Sequence, residues 1–160
     1  VEKLFFISEK KVERYNIILD SFEDIGFILD KDGRHEGVFG KWIEKSGLTP
    51  EFILGKTAKD LFGEEIGKKH IEANNLALSG KNVTYEWSTI INDEIRYFQT
   101  MLSPIFENQT VTGVVGVGRD ITEKKKNELA LKESENVLSM FFSYSLDGFF
   151  FMILDRKSVV

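Results

Sequence analysis

Cysteine is absent from all 160 residues. That excludes disulfides, thiolate metal sites, a cysteine nucleophile and a cysteinyl–flavin adduct. Histidine is nearly as scarce: the chain has two, His35 and His70. So far apart in sequence, they offer neither a metal cluster nor a nucleophile–base pair. Long apolar runs are also missing. The longest, Phe149–Leu154, falls far short of the ~20 residues that span a bilayer. Positive charge is in the minority, with a net charge of -5, so no basic face for nucleic acid is expected. The opening VEKLFF lacks a positive segment leading into a long apolar run and cleavage site. A soluble, cytoplasmic chain with no membrane segment is the expectation. What is present is core material: 42% of residues are apolar and 14 are Phe, too many for disorder to be the default.

The stretch that organises the rest is VTGVVGVGRDITE, Val111–Glu123. From Val111 to Val117 nearly every residue is apolar or Gly, as in a strand covered on both faces. Asp120, Ile121, Thr122 and Glu123 then open a helix, with the Asp120 carboxylate placed to cap orphan N–H groups of its first turn. Ahead of it, Ser8–Phe22 carries Val12, Tyr15, Ile18, Leu19 and Phe22 on one helical stripe. Ile25–Leu29 reads as a strand, Asp30-Lys-Asp-Gly33 as a hairpin turn, and Arg34–Phe39 as the return strand.

Gly and Pro break Trp42–Gly63 into short helices. Thr49–Pro50 starts one, and Thr57–Phe62 forms another that stops at Gly63. A longer helix is expected from about Glu65 to Ser79, with Gly80 closing it and Ile66, His70, Ala73 and Ala77 on one face. The periodicity then switches to two. Val83, Tyr85, Trp87 and Thr89 alternate with polar residues, Asn92–Asp93 turns the chain, and Arg96–Phe106 returns with Phe98, Thr100 and Leu102 in one row. Pro104 ends regular pairing or sits at an edge. The fold class is therefore α+β, an antiparallel sheet with helices on one face.

The end of the chain resembles its start. A helix followed by Ser21–Asp30 recurs as a helix followed by Ser145–Asp155. This predicts a flanking helix over 1–22, a complete module over 23–122 and a connecting helix over 123–142. Residues 143–160 are then the truncated opening of a second copy, whose strand has no partner to bury it.

Three segments, GFILDKDGR (26–34), GLTPEFILGKTAKDLF (47–62) and TMLSPIFENQTVTGVVGVGRDITEKK (100–125), resemble a PAS domain. The resemblance implies a five-stranded antiparallel sheet with short helices on one face, flanked by N- and C-terminal signalling helices. It also implies a small-molecule pocket, a homodimer formed through the flanking helices, and an output domain further along the same protein, as in two-component systems. Val114, Gly116 and Gly118 would face the pocket, while Val115 and Val117 face a covering helix. RHEGVFGK (34–41) departs from the family's usual strand followed by Asn-Pro.

Candidate pocket residues are Phe27, Trp42, His70, Ala73, Ala77, Trp87, Phe98, Thr100, Leu102, Val114, Gly116 and Gly118. Asp120, Ile121 and Thr122 are candidates for coupling the sheet to the exit helix. Two adjacent glycines remove side-chain volume, either for a ligand or for Trp87 or Phe98 from neighbouring strands. The ligand is unknown. Haem through His70 and a non-covalent flavin among Trp42, Trp87 and Phe98 are minor readings, because a lone His and aromatics at strand spacing are ordinarily core. His35–Glu36 lies beside a hairpin rather than on a dimerising helix, so it is no phosphoacceptor. Glu64–Glu65 reads as helix-terminus charge, and Lys124–Lys126 as a solvated helix face. Leu131 with Leu138, and Ala130 with Val137, are one heptad apart. No enzyme reading has a residue to stand on. The function expected is a sensory module that binds a small ligand; the alternative is a ligand-free dimerisation and spacing domain, its core filled by Trp87, Phe98 and Leu102.

Overall fold

The computed structural model describes the backbone of residues 2–155 except 47 and 92, and the burial of side chains at 12–145 except 44, 45, 47 and 92. The expected start of the 47–62 segment, the Asn92 half of the hairpin turn, and residues 156–160 of the tail lie outside the described residues. The chain divides into two units after Ile121, each considered by itself.

In the first unit, α1 (Glu2–Ser21) leads into β1 (Ile25–Asp30) and β2 (His35–Phe39). Three helices follow, α2 (Trp42–Ser46), α3 (Pro50–Ile53) and α4 (Ala58–Leu78), then β3 (Val83–Ile91), β4 (Glu94–Glu107) and β5 (Thr110–Asp120). The strands form one antiparallel sheet in the order β2-β1-β5-β4-β3. The organising strand, β5, is thus at the centre. α4 packs against β3, β4 and β5, and α3 against β2.

Local chemistry explains the boundaries. The first turn is built by Asp30, whose carboxylate accepts from the backbone N–H groups of Asp32 and Arg34, both at 2.8 Å. Thr49 precedes α3 in extended conformation with Pro50 at its first position. Thr57 and Asp60 form a reciprocal capping box at the start of α4, satisfying two donors that would otherwise be orphans. α4 is two helices joined at Gly63, whose φ of 75° and ψ of -171° are not helical. The expected break at that glycine is therefore a kink inside one element. Pro104 pairs with Val114 of β5 but lies beyond Leu102, where the β3 pairing ends. Its missing N–H faces the side of β4 that has no neighbour.

The packed core is Leu29, Ala73, Ala77, Leu102 and Val114, with Phe27, Leu78, Val83 and Tyr85 against it. The α1 stripe is on the surface: Val12, Tyr15, Ile18 and Phe22 are all exposed. Val115 and Val117 are half-buried.

The second unit is α5 (Thr122–Asp155). Only Ile121 separates it from β5, so the helix begins two residues after Asp120. Lys124 and Lys125 both reach Glu128, as on a solvated face. The backbone stays helical through Ser145–Asp155, which corrects the expected second-copy strand. A strand needs a neighbour for its N–H and C=O groups, and none of the described strands serves there. A helix satisfies those groups internally.

Candidate ligand cavity

The sheet is filled at one end and hollow at the other. A cavity of about 610 Å³ lies between the sheet and the helices, within the size range of small-molecule sites. Seven of the expected pocket residues line it: Phe27, Trp42, His70, Trp87, Phe98, Thr100 and Gly118. The other five do not. Ala73, Ala77, Leu102 and Val114 are the packed core, so they close the cavity's far end. Gly116 is occupied by its own neighbour: a Cβ there would stand 2.2 Å from the Phe27 ring, which β1 places directly opposite. The volume that Gly116 leaves is taken by Phe27 rather than by Trp87 or Phe98. Gly118 remains a wall, opposite Ile25 and Thr100 in the two neighbouring strands.

The aromatic lining is continuous. Trp87 stacks on Phe98 with centroids 4.8 Å apart, and Trp42 meets Phe98 edge-on at 5.6 Å. Phe62 and Trp87 pack against the His70 ring at 4.8 and 4.6 Å. Phe62 is not among the expected pocket residues, because the sequence marks it only as the end of a short helix; the Gly63 kink returns it to the site.

Through this wall runs a chain of hydrogen bonds. Trp87 Nε1 donates to Thr100 Oγ1 at 2.9 Å. Thr100 stands opposite Tyr85 in the β3–β4 register, where its hydroxyl favours the phenolate, and the Tyr85 hydroxyl meets His70 Nδ1 at 2.5 Å. Indole can only donate, so the Thr100 hydroxyl is free to donate onward to Tyr85, and Tyr85 to His70. Donation in that direction makes His70 Nδ1 an acceptor and places its proton on Nε2, whereas donation in the opposite direction places it on Nδ1. That Nε2 is buried and has no hydrogen-bond partner.

Burial sets the charge states. It brings the His70 imidazole down from 6.5 to about 4, with His35 and Lys69 adding repulsion. It pushes the Tyr85 phenol well above its ordinary value, against the Thr100 hydrogen bond. His35, the second imidazole of the lining, is also lowered by burial, partly offset by the Lys56 carbonyl. That carbonyl receives the His35 Nδ1 proton at 2.7 Å, which leaves Nε2 of His35 as a lone pair. Both imidazoles are neutral near pH 7. Among the described residues, the charged members of the lining are Arg96 and Asp120, 3.5 Å apart.

An axial haem histidine presents the Nε2 lone pair and gives its Nδ1 proton to an acceptor. His70 Nε2 is buried, with the Phe62 and Trp87 rings packed against the imidazole, which leaves iron no room beside it as the rings stand. Among the described residues no cluster of His, Asp or Glu could hold a metal ion. No helix among them is long and apolar enough to cross a membrane.

A five-stranded antiparallel sheet with helices over a largely apolar, small-molecule-sized hollow defines an α+β cavity domain. A family model described as the PAS fold matches residues 19–126, and the chain belongs to that family. Solved structures carry the same fold. The PAS domain of an HTR-like protein from Haloarcula marismortui is 15% identical with a TM-score of 0.59, covering 76% of this chain and 100% of that one. The PAS domain of BvgS from Bordetella pertussis is 18% identical with a TM-score of 0.57, covering 83% and 99%. A PAS domain from Colwellia psychrerythraea is 24% identical with a TM-score of 0.55, covering 70% and 98%. No curated protein matches in sequence.

Proposed function

We propose that this PAS domain is a sensory module of a cytoplasmic signalling protein, binding a small ligand between its sheet and α4 and passing the change into α5. One observation carries the reading: the cavity wall includes Gly118 and Asp120, the last inward residues of the strand that leads to α5. A ligand that displaces Asp120 or its partner Arg96 acts two residues from the start of that helix. The strand end is held by its neighbour, since Ile121 N–H donates to the Tyr97 carbonyl at 2.8 Å. Movement in β4 is therefore felt at Ile121 and Thr122. The helix is the element with two arrangements, and the ligand biases one of them.

Pairing of two copies through the flanking helices belongs to the same reading. Leu131, Val137 and Leu138 of α5 are exposed, as is the α1 stripe, and an output domain in the same protein would read the pairing. The ligand-free spacer alternative requires a filled interior. Leu102 fills its half, but Trp87 and Phe98 wall a hollow.

The test is native mass spectrometry of protein purified under mild conditions, with sedimentation measured alongside. A bound mass lost on denaturation and a dimer are expected. A bare monomer, with no small molecule taken up from an added cell metabolite extract, would sink the proposal.

A further inference from the structure

We propose that His70 Nε2–H is the recognition donor for a flat, uncharged aromatic ligand bearing a carbonyl-type acceptor, reached by displacing Phe62. The inference rests on the ligand-binding reading above and adds the chemical class of the ligand.

The donor comes first. With Trp87 donating to Thr100 and the chain running on through Tyr85, His70 Nδ1 is an acceptor and Nε2 carries the proton, and that tautomer is part of the proposal. His70 is only 6% exposed, and Nε2 has no partner. A buried donor without an acceptor is unfavourable in the free protein, and an entering acceptor removes that penalty. An anion is disfavoured: the imidazole is neutral, and Arg96, the one cation of the lining among the described residues, already faces Asp120 and Glu94. Among the described residues of the lining the one carboxylate, Asp120, is already paired with Arg96, so a cation gains little there. The surrounding surfaces are the rings of Trp42, Phe62, Trp87 and Phe98, which suit a planar aromatic body.

Access follows from position. Phe62, Tyr85 and Trp87 pack against the His70 ring. Tyr85 and Trp87 are fixed in β3, and Tyr85 is bonded to the other imidazole nitrogen. Phe62 is 38% exposed and immediately precedes the Gly63 kink. It is the ring that can move aside without breaking the sheet.

The test uses three probes of one shape: 2-acetylnaphthalene, with an acceptor and no charge; 2-ethylnaphthalene, with no acceptor; and 2-naphthoate, with acceptors and a negative charge. Binding to the full chain is measured by equilibrium dialysis. 2-Acetylnaphthalene is expected to bind at least about tenfold more tightly than the other two, the discrimination typical of a site whose buried polar group must be met. His70→Phe should abolish the preference for 2-acetylnaphthalene over 2-ethylnaphthalene. As a readout independent of folding of that variant, ¹⁵N NMR of the unaltered protein should place the His70 proton on Nε2, with a shift of that resonance on adding 2-acetylnaphthalene. Equal binding of the acetyl and ethyl probes, preference for the naphthoate, or a proton on Nδ1 each overturns the assignment while leaving ligand binding intact. Failure of all three probes also overturns it. Only a bare native mass spectrum in addition removes the reading beneath it.

Discussion

The Arg96 guanidinium lies 3.5 Å from the Asp120 carboxylate, and both side chains belong to the cavity wall. Asp120 closes β5 and stands two residues before α5. The pair is half open to water, so its contribution to folding is small, below about 1 kcal/mol. Its contribution to coupling need not be. Asp120→Ala and Arg96→Gln are each expected to leave the urea midpoint nearly unchanged while shifting the output of the full-length protein. Unchanged output in both variants would remove Asp120 from the signalling path.

Acid should weaken the domain through His70. In the unfolded chain this group titrates near 6.5, and in the folded chain near 4. Above about pH 6.5 neither state binds the proton, and the group gives no pH dependence. Between pH 6.5 and 4 the unfolded state is protonated and the folded state is not, so stability falls as pH falls. The full loss is on the order of 3 kcal/mol and levels off below pH 4. Urea titrations at pH 7, 5.5 and 4.5 measure it. His70→Gln, which keeps an acceptor for Tyr85, should lose most of the slope.

Gly116 and Phe27 form a tight pair across β1 and β5. A methyl group at Gly116 would stand 2.2 Å from the Phe27 ring, so Gly116→Ala forces the ring toward the cavity or the strands apart. A destabilisation of roughly 1–3 kcal/mol is expected. Adding Phe27→Leu should recover part of it, giving a coupling term in a double-mutant cycle. Additive losses would show that the two do not meet.

Gly63 tests the backbone alone. A Cβ there has no neighbour within 4 Å, yet its φ is 75° and its ψ -171°, a region essentially closed to other residues. Gly63→Ala should lower stability by about 1–3 kcal/mol through strain. It should also slow probe entry past Phe62, measured by stopped-flow quenching of tryptophan fluorescence. A variant as stable and as quick as the parent would dissociate the kink from both roles.

The parts of this fold that were legible in sequence are those written in local chemistry. Thr49–Pro50, the Thr57–Phe62 turn, Gly63 and Asp30 through Gly33 carry their own instructions, because each restricts the backbone within a few residues. The alternation in β3 and β4 likewise assigned Trp87, Phe98 and Thr100 to the inner face. Position along that face was not legible. Thr100 and Leu102 point the same way, but one meets a hollow and the other meets Ala73 and Ala77 packed behind it, and that distinction depends on where α4 crosses the sheet. The His70–Tyr85 contact joins residues from different elements, so neither periodicity nor spacing announces it. The tail misled for a related reason: Ser145–Asp155 resembles β1 in composition, but β1 is a strand because β2 and β5 flank it.

The kink at Gly63 makes the cavity unlike a rigid mould. Ala73 and Ala77 anchor the long part of α4 against the sheet, whereas Ala58, Leu61 and Phe62, in the short part, carry one wall on the other side of a glycine joint. Ligands of different bulk can then be accommodated by tilting that short segment, with the strands left in register. What the helix beyond Ile121 receives would depend on how a ligand engages the sheet wall, so two molecules of equal affinity could be an activator and a silent competitor.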